Sequence, residues 1–372
     1  MIRRATIKNN SAVVIVCGCY SEVSSDDVSQ IEGVSYVIGS KNKLSVVDRA
    51  IELLNKKQVR NKVEIDSSEL FEPMQVSSFS RTRAYVKIED GCENNCAYCI
   101  IPTARGKICS KPVEEAVREI KNLADNGCHE VVLTGIETAA YGRDFNDKDA
   151  LITLMKEIDK IDGIERIRLG SLEPSFINPA LTERFTKVNK LCPHFHVSLQ
   201  SGCDSTLARM RRKYNTDMVT RNLEVIRAGM PDVLFCADLI VGFPGESEEE
   251  FNTTLDFLEK TRFFDIHVFP YSKRKNTVAS NMENQLPKSV KHERVMAVQA
   301  LQEKIKREYI EDFIKRERVF NVLFETYENS LCTGHTENFI EVRMESKLDL
   351  RGHFVKVVLT GYENGCVFAK SI

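Results

Sequence analysis

The sequence lacks most of the features that assign a chain to a special class. No tryptophan occurs among its 372 residues, and this absence by itself excludes nothing. No apolar run approaches the roughly 20 residues of a membrane-spanning helix, and Met1–Thr6 do not contain the apolar core of a secretion signal. We therefore expect a protein of the reducing cytoplasm that needs no membrane, with cysteines that are free or bound to metal.

An excess of charge of either sign is also missing. Lysine and arginine total 52 and aspartate and glutamate 54, which gives a net charge of −2. This balance neither requires nor excludes a nucleic-acid partner, so any basic surface has to be local. The sequence has no low-complexity segment, and its length suggests about two or three domains.

The 12 cysteines are scattered except for one dense group, Cys92, Cys96 and Cys99. The group follows the strand-like segment Ala84–Ile88, and Gly91 directly precedes it. A structural zinc site uses four protein ligands, and no fourth cysteine or histidine lies at a zinc-finger spacing. A cubane iron–sulfur cluster held by three cysteines leaves one iron open to another ligand. The spacing favours such a cluster, with a structural zinc knuckle as the alternative.

The chain divides into three parts by its patterns. Residues 1–75 predict a small α/β unit with strands at Ala12–Val16 and Val34–Gly39 and a helix at Lys43–Lys57. In that helix, Leu44, Val47, Ile51 and Leu54 lie on one face.

Residues 76–313 alternate strand and helix about six times, which is typical of a parallel sheet and predicts an open, partial TIM-like barrel. The expected strands are Ala84–Ile88, Glu130–Thr134, Arg166–Leu169, Phe195–Leu199, Leu234–Val241 and Asp265–Phe269. Polar and glycine-rich segments follow the strands, and the ends of parallel strands share one rim. We therefore expect Gly135, Glu173 and Gln200 to lie near the cysteine group.

Residues 314–372 change character, because five short apolar strands separated by glycines replace the strand–helix alternation. Five strands in so short a segment predict a small OB-like β-barrel. A charged helical segment, residues 287–313, precedes them.

Five runs along the chain are weak singly and specific together: Gly18–Tyr20, Asp90–Cys99, Ile101–Gly106, Pro193–Gly202 and Asp238–Glu246. Over nearly the whole length, this combination resembles the radical SAM methylthiotransferases (SAM, S-adenosylmethionine). The resemblance implies an α/β fold with three domains. These are a truncated methylthiotransferase N-terminal domain (residues 1–75), a partial (β/α)6 TIM-like radical SAM barrel (76–313) and an RNA-binding TRAM domain (314–372).

Three further runs, Leu133–Ile136, Ser171–Pro174 and Gly334–Phe339, look most like the branch that acts on N6-threonylcarbamoyladenosine at position 37 of tRNA. That branch adds a methylthio group to C2 of the base. The other branches act on isopentenyladenosine in tRNA or on an aspartate of a ribosomal protein, and they remain alternatives. A non-catalytic RNA-binding protein with a structural metal is the alternative from another class.

The resemblance also implies the cofactors and their ligands. Cys92, Cys96 and Cys99 would hold a [4Fe-4S] cluster whose open iron binds SAM. Tyr98 would pack near the adenine of SAM, Gly135 would allow a close approach, and Glu173 and Gln200 would bind polar groups of SAM. The alternatives are a half-buried aromatic for Tyr98 and helix capping for Glu173 and Gln200.

At one point the sequence departs from the family pattern. The family holds a second [4Fe-4S] cluster with three cysteines of the N-terminal domain, and only Cys19 matches one of them. The other two would lie upstream of Met1, and Cys17 has no counterpart. We therefore expect an incomplete second cluster, with SAM binding retained and methylthiolation impaired.

Two basic segments are candidates for contact with RNA. Arg209, Arg211 and Arg212 lie beside a tyrosine, as do Lys273 and Arg274. Such segments can neutralise phosphates and stack a base, although a solvated helix face has the same composition. The implied partners are the anticodon loop of tRNA and a reductant such as flavodoxin or ferredoxin.

Overall fold

A three-stranded parallel sheet forms the N-terminal unit of the protein. A computed structural model describes residues 2–9, 12–56, 62–65, 70–76, 79 and 82–372. In the sheet, β1 (Ile15–Cys17), β2 (Tyr36–Ile38) and β3 (Lys62–Glu64) are adjacent in that order. The helices of this unit are α1 (Ile2–Lys8), α2 (Cys19–Val23), α3 (Ser25–Ser29) and α4 (Ser45–Lys56).

Helix α4 packs with a different face from the one that its sequence predicts. Val46 and Leu53 pack against Tyr36 and Ile38 of β2. The predicted face is exposed instead, with accessibilities between 52% and 64% for Leu44, Val47, Ile51 and Leu54. The helix carries apolar residues on two faces, and their spacing alone cannot decide which face meets the sheet.

Six parallel strands form the central part, in two sheets of three. The first sheet has the order β4 (Arg83–Lys87), β7 (Glu130–Thr134), β8 (Arg166–Leu169), and the second has the order β9 (His194–Gln200), β10 (Leu234–Val241), β11 (Asp265–Pro270). Bridges join Leu172 to Val197 and Ile167 to Leu191, so β8 and β9 are neighbours. All six predicted strands are present within one residue at each end, and the partial barrel is confirmed.

Helices and one short hairpin connect these strands. The hairpin pairs β5 (Glu89–Asp90) with β6 (Cys109–Ser110). Helix α11 (Glu248–Thr261) begins with a capping box, in which the Ser247 side chain and the Glu250 side chain each accept a backbone N–H of the other residue. The helices of the central part are α5 (Ile101–Arg105), α6 (Val113–Asp125), α7 (Ala150–Asp159), α8 (Pro179–Phe185), α9 (Asp204–Arg209), α10 (Thr216–Gly229) and α11 (Glu248–Thr261).

The strands present an apolar face to the helices and a polar face to the lumen of the barrel. Alternate strand residues point to opposite faces. Val131, Phe195 and Ala237 belong to the core that the helices cover, whereas their neighbours Glu130 and His196 lie on the other face. The lumen is therefore lined by groups that can bind a polar molecule.

A long helix and a closed five-stranded barrel complete the chain. Helix α12 (Lys288–Lys315) is the longest described, and no helix in the described part of the chain is long and apolar enough to cross a membrane. The barrel has the strand order β12-β13-β14-β16-β15, as expected for the predicted OB-like unit. Its strands are β12 (Val319–Glu328), β13 (Leu331–His335), β14 (Glu341–Glu345), β15 (Phe354–Glu363) and β16 (Cys366–Ser371).

The C-terminal barrel closes the lumen at the end where the strands begin. Glu130 accepts hydrogen bonds from Arg83 Nε and Arg168 Nε, both of 2.7 Å. Arg168 also donates to the main-chain oxygens of Thr336 and Glu337 at 2.9 Å. Burial would raise the pKa of Glu130, but Arg168 and Arg83 outweigh it and lower that pKa to about 2. The carboxylate thus links two domains as a permanently charged group.

Candidate active site at the cysteine loop

The three cysteines lie on the loop between β5 and α5, at the end of the lumen opposite the C-terminal barrel. Gly91 opens the loop with a φ of 85°, and a Cβ there would collide with the main-chain oxygen of Lys107. Only glycine fits this turn. Hydrogen bonds of Ala97 hold the middle of the loop: its N–H donates to Met210 O at 3.0 Å, and its carbonyl accepts from Ala279 N–H at 2.7 Å.

Each cysteine sulfur of the loop accepts a hydrogen bond. Asn94 N–H donates to Cys92 Sγ and Ile101 N–H to Cys99 Sγ, both at 3.4 Å. Arg212 Nη1 donates to Cys96 Sγ at 2.9 Å. N–H groups aimed at sulfur stabilise thiolate and tune the iron–sulfur clusters that thiolates hold. Burial raises the pKa of Cys92 to about 11, so a metal has to displace a proton from this thiol.

The spacing of the thiols suits a cluster better than one zinc ion. Three sulfurs around a tetrahedral zinc at 2.3 Å would lie about 3.8 Å apart. In the described residues, the only group of three or more His, Cys, Asp and Glu ligand atoms within 4.8 Å of one another lies elsewhere, in the lumen. At least one pair of the Cys92, Cys96 and Cys99 sulfurs is therefore more than 4.8 Å apart, which is farther than one zinc ion requires.

Arg212 forms the centre of the polar group next to the loop. Its Nη2 lies 3.1 Å from Glu173 Oε1, and both side chains are only 5% exposed. Its Nε donates to the Tyr214 hydroxyl at 3.0 Å, and its guanidinium lies 4.9 Å from the Tyr214 ring centroid. The sequence grouped Arg212 with the RNA contacts, but the structure places it inside the site, between Cys96 and Glu173. Burial also raises the pKa of the neighbouring Tyr98 phenol.

Two buried carboxyl groups extend this site, and sequence patterns did not predict either of them. Glu137 N–H donates to Glu89 Oε2 at 2.9 Å, and Glu137 Oε1 accepts from Glu173 N–H at 3.1 Å. Burial, with the charge of Glu173, raises the pKa of Glu137 to about 7, and burial raises that of Glu89 to about 8. A Cβ on Gly135 would collide with Glu89. The available signal was the position of Glu137 directly after β7, on the rim that identified Gly135.

Gln200 ends β9 in a strained conformation at the same rim. Its φ is 65°, in the left-handed region that residues other than glycine and asparagine rarely occupy. Such strain persists where the surrounding structure enforces it, and it is common at functional sites. Gln200 thus ends its strand on the same rim of the barrel as Gly135 and Glu173, which follow β7 and β8.

A cluster of two histidines and an aspartate lies deeper in the lumen, on three adjacent strands. His196 Nε2 of β9 lies 3.0 Å from Asp238 Oδ1 of β10, and His267 Nδ1 of β11 lies 3.5 Å from the same oxygen. Burial would raise the pKa of Asp238, but its contacts with the two imidazoles lower it well below the usual range. The contact with Asp238 raises the pKa of His267. Sequence patterns did not predict this cluster.

The remaining basic residues divide into paired and exposed ones. Arg209 makes a two-pronged ion pair with Glu250, at 2.7 Å and 2.6 Å. Arg211, Lys273 and Arg274 are exposed. The charge of Arg274 acts on the Cys99 thiol, whose pKa is raised mainly by burial, so Arg274 borders the cysteine loop.

Cys19 of the N-terminal unit also faces the cysteine loop. Arg105 Nε donates to Cys19 Sγ at 3.0 Å, and Arg105 Nη1 donates to Asp90 Oδ2 at 3.2 Å. Asp90 is two residues before Cys92. Cys17 is exposed. Cys19 is therefore the thiol of this unit that the structure connects to the site.

Sequence comparisons agree with this arrangement. The profile of the radical SAM superfamily matches residues 86–258. The threonylcarbamoyladenosine tRNA methylthiotransferase MtaB of Bacillus subtilis is 37% identical over 366 residues, 96% of this chain and 80% of the relative. The MtaB of Thermotoga maritima is 36% identical over 343 residues, which are 92% of this chain and 77% of the relative. A tRNA-2-methylthio-N6-dimethylallyladenosine synthase of Thermoanaerobacter is 34% identical over 321 residues, which are 86% of this chain and 68% of the relative.

Solved structures with a similar fold are more distant in sequence. The radical SAM methyltransferase TsrM of Kitasatospora setae superposes with a TM-score of 0.59 at 13% identity, over 75% of this chain and 59% of TsrM. The cobalamin-dependent radical SAM enzyme OxsB superposes with a TM-score of 0.52 at 11% identity, over 81% of this chain and 45% of OxsB. At these identities the similarity concerns the fold alone.

Proposed function

Because the chain belongs to the family of radical SAM tRNA methylthiotransferases, we propose that it adds a methylthio group to C2 of N6-threonylcarbamoyladenosine at position 37 of tRNA. The proposal rests on the three-thiol loop at the rim of the barrel, together with the substrate in the names of the Bacillus subtilis and Thermotoga maritima relatives. The small closed barrel fits a TRAM-like domain. We place the domain boundaries at residues 75/76 and 313/314.

Cys92, Cys96 and Cys99 would hold the [4Fe-4S] cluster of the radical SAM family. The separation of their thiols and the N–H donors to their sulfurs support this assignment. When bound, the cluster supplies the electron that cleaves SAM and begins the radical chemistry. The loop has to hold three thiolates and leave one iron position open. Gly91 permits its turn, and the hydrogen bonds of Ala97 hold its middle in place.

The carboxyl groups at the rim are the candidates to bind the polar end of SAM. The α-amino group of SAM is a hydrogen-bond donor, and Glu137 offers a buried carboxyl beside the cysteine loop that can accept from it. Arg212 offers a cation for the α-carboxylate while it holds Glu173 in place. Gly135 leaves room for the polar end of SAM, and Gln200 and Tyr98 would border that end.

The exposed basic residues next to the loop would contact the tRNA. Arg211, Lys273 and Arg274 are free to neutralise phosphates around a splayed-out base of the anticodon loop. Arg209 contributes less directly, because Glu250 already binds its guanidinium. We assign Arg212 to the cluster site and not to the RNA contacts.

Cys19 is our candidate for a single remaining ligand of a second, incomplete cluster site. Its contact with Arg105 brings it next to Asp90 and the cysteine loop. Among the described residues of the N-terminal unit, Cys17 is the one other thiol, and it is exposed. Two thiols do not complete a cubane site, so we propose that these 372 residues hold one cluster, with SAM binding retained and methylthiolation impaired. The electron would come from a cytoplasmic carrier such as flavodoxin or ferredoxin.

Mass spectrometry of nucleosides from total tRNA tests the proposal. Cells that carry the gene should contain the methylthio form of N6-threonylcarbamoyladenosine, and cells without it should lose that form. Expression of the native gene should restore it, a Cys96→Ala variant should not, and a Cys366→Ala variant in the distant barrel should. An unchanged nucleoside profile on deletion would reject the assignment.

The same measurement separates the related activities. Loss of methylthiolated dimethylallyladenosine, with the threonylcarbamoyl form unchanged, would assign the chain to the branch of the Thermoanaerobacter relative. Unchanged tRNA together with loss of a methylthio group from a ribosomal protein would indicate the protein-modifying branch. Either result contradicts the substrate proposed above.

A further inference from the structure

The cluster of His196, Asp238 and His267 occupies the face of the sheet that lines the lumen. On β11, Ile266 is buried in the core that the helices cover, whereas its neighbour His267 lies on the opposite face. In the β10–β11 register, Asp238 stands directly opposite His267. The three side chains are 21%, 26% and 48% exposed. They are therefore accessible from within the barrel.

Asp238 positions the His267 imidazole and favours its charged form. Its carboxylate lies beside Nδ1 of His267, so the Nε2 edge of the ring is left for another partner. Within the described residues, no hydrogen bond or ion pair involves His267 Nε2. The contact of His196 Nε2 with Asp238 is an ion-pair distance without hydrogen-bond alignment. The cluster thus offers one oriented donor to the lumen.

Three arginines of the described residues that face the lumen are already bound by other groups. Arg168 is bound by Glu130 and by two carbonyls of the C-terminal barrel. Arg166 donates to Glu130 and to the His335 carbonyl. Arg212 is bound to Glu173 and Cys96. An anion that enters the lumen therefore meets His267 as the cation with an available donor.

The proposed substrate carries such an anion, and this step rests on the proposed function. A threonylcarbamoyl group ends in the carboxylate of threonine, whereas a dimethylallyl group is a pure hydrocarbon. Position C2 of the base has to face the cysteine loop, because the methylthio group is added there. The substituent on N6 leaves the ring on a different edge and can therefore extend away from the loop, deeper into the lumen.

Phe269 supports this orientation of the base. It lies two residues after His267 on the same face of β11, nearer to the cysteine end, and its ring is 52% exposed. Residues two apart on a strand are about 6.6 Å apart. This separation suits a base that stacks on Phe269 while the carboxylate of its N6 substituent reaches His267.

From this placement we infer that the His196–Asp238–His267 cluster is a specificity site. His267 Nε2 binds the carboxylate of the threonylcarbamoyl group, Asp238 orients the imidazole, and Phe269 stacks on the adenine. His267 is thus the residue that separates threonylcarbamoyladenosine from substrates with an uncharged N6 substituent.

Binding of anticodon stem–loops to the anaerobically reconstituted protein tests this inference. Two stem–loops are compared, one with N6-threonylcarbamoyladenosine at position 37 and one with the methyl ester of the same group. Native protein should bind the free acid roughly ten- to hundredfold more tightly, the worth of one charge-assisted hydrogen bond. In His267→Gln the preference for the acid should disappear, because the affinity for the acid falls to that for the ester. His292→Gln, on the exposed surface of α12, is the matched control.

Three outcomes would overturn the inference. The first is a His267→Gln variant that keeps the full preference for the acid. The second is native protein that binds acid and ester equally. The third is a stoichiometric divalent metal, beyond the iron of the cluster, that is lost in His196→Ala, because the metal would then be the group that binds the carboxylate.

The nucleoside measurement distinguishes a failure of this inference from a failure of the proposed function. If deletion of the gene removes the methylthio form of threonylcarbamoyladenosine while His267→Gln keeps its selectivity, the function stands and the inference fails. If deletion changes neither tRNA nucleoside, the function itself fails.

Discussion

Arg212 and Glu173 form an ion pair of 3.1 Å at the cysteine end of the barrel lumen. Each side chain is almost entirely removed from solvent, and a second nitrogen of Arg212 donates to Cys96 Sγ. The pair therefore connects the end of β8 to the cysteine loop. It makes the stability of the fold and the geometry of the proposed cluster site depend on the same guanidinium.

Replacement of Arg212 should weaken both the stability of the fold and the binding of the cluster. Arg212→Gln leaves the Glu173 carboxylate buried without its partner, so we expect the free energy of unfolding to fall by about 3 kcal/mol. The Cys96 sulfur loses its charged donor, so iron should also be lost faster from the reconstituted protein. Chemical denaturation and iron-release kinetics measure the two effects.

The exposed neighbour provides the control for that experiment. Arg211→Gln removes the same charge one residue earlier, and it should change stability by no more than about 0.5 kcal/mol. Equal effects of the two substitutions would show that Arg212 is not a buried structural cation.

Iron analysis tests the assignment of the cysteines. After anaerobic reconstitution, the 372-residue chain should contain about four iron atoms, the content of one cubane cluster. Cys96→Ala should remove most of this iron, because two thiols hold a cubane poorly. Cys19→Ala should change it little. About eight iron atoms per chain would contradict our single-cluster proposal.

Gly135 should tolerate no side chain. A Cβ at this position would collide with the Glu89 carboxylate and would lie 3.0 Å from the main-chain oxygen of Glu89. Gly135→Ala should therefore cost about 1–3 kcal/mol of stability, as overpacking does, and it should weaken SAM binding. A thermal melt and equilibrium dialysis with labelled SAM provide the readouts.

Gly361→Ala is the matched control, because a Cβ there meets nothing within 4 Å. It should leave both the melting temperature and SAM binding near those of the native chain. If the two alanine variants behaved alike, the close contact at Gly135 would have no role.

Acid should loosen the link between the central and C-terminal barrels. The pKa of Glu130 is about 2 in the folded chain, lowered from 4.5, so its ionised form stabilises the fold above pH 4.5. This contribution is lost as the pH falls from 4.5 to about 2. The difference in unfolding free energy between native protein and Glu130→Gln should be largest at neutral pH and shrink across that interval. A difference independent of pH would contradict the ionised state of Glu130.

The sequence predicted the parts of this structure that depend on local pattern. Apolar runs located all six strands of the central barrel, and the common direction of parallel strands placed Gly135, Glu173 and Gln200 at one rim. The spacing of three cysteines was sufficient to predict their loop. These predictions succeeded because strand formation and the direction of a parallel strand are local properties.

Relations across the fold were not predictable in this way. His196, Asp238 and His267 come from three strands, and only the register of those strands brings them together. Arg212 belongs to a basic run that resembles a solvated surface, yet the chain turns it inward to Glu173. The exposed face of α4 has a similar cause, because apolar spacing defines a face without defining what covers it.

Cleavage of SAM by the reconstituted protein tests the central claim most directly. With a chemical reductant and SAM, we expect a brown protein that releases 5′-deoxyadenosine, and no release from Cys96→Ala. A colourless protein that binds zinc tightly at the cysteine loop and leaves SAM intact would contradict the account.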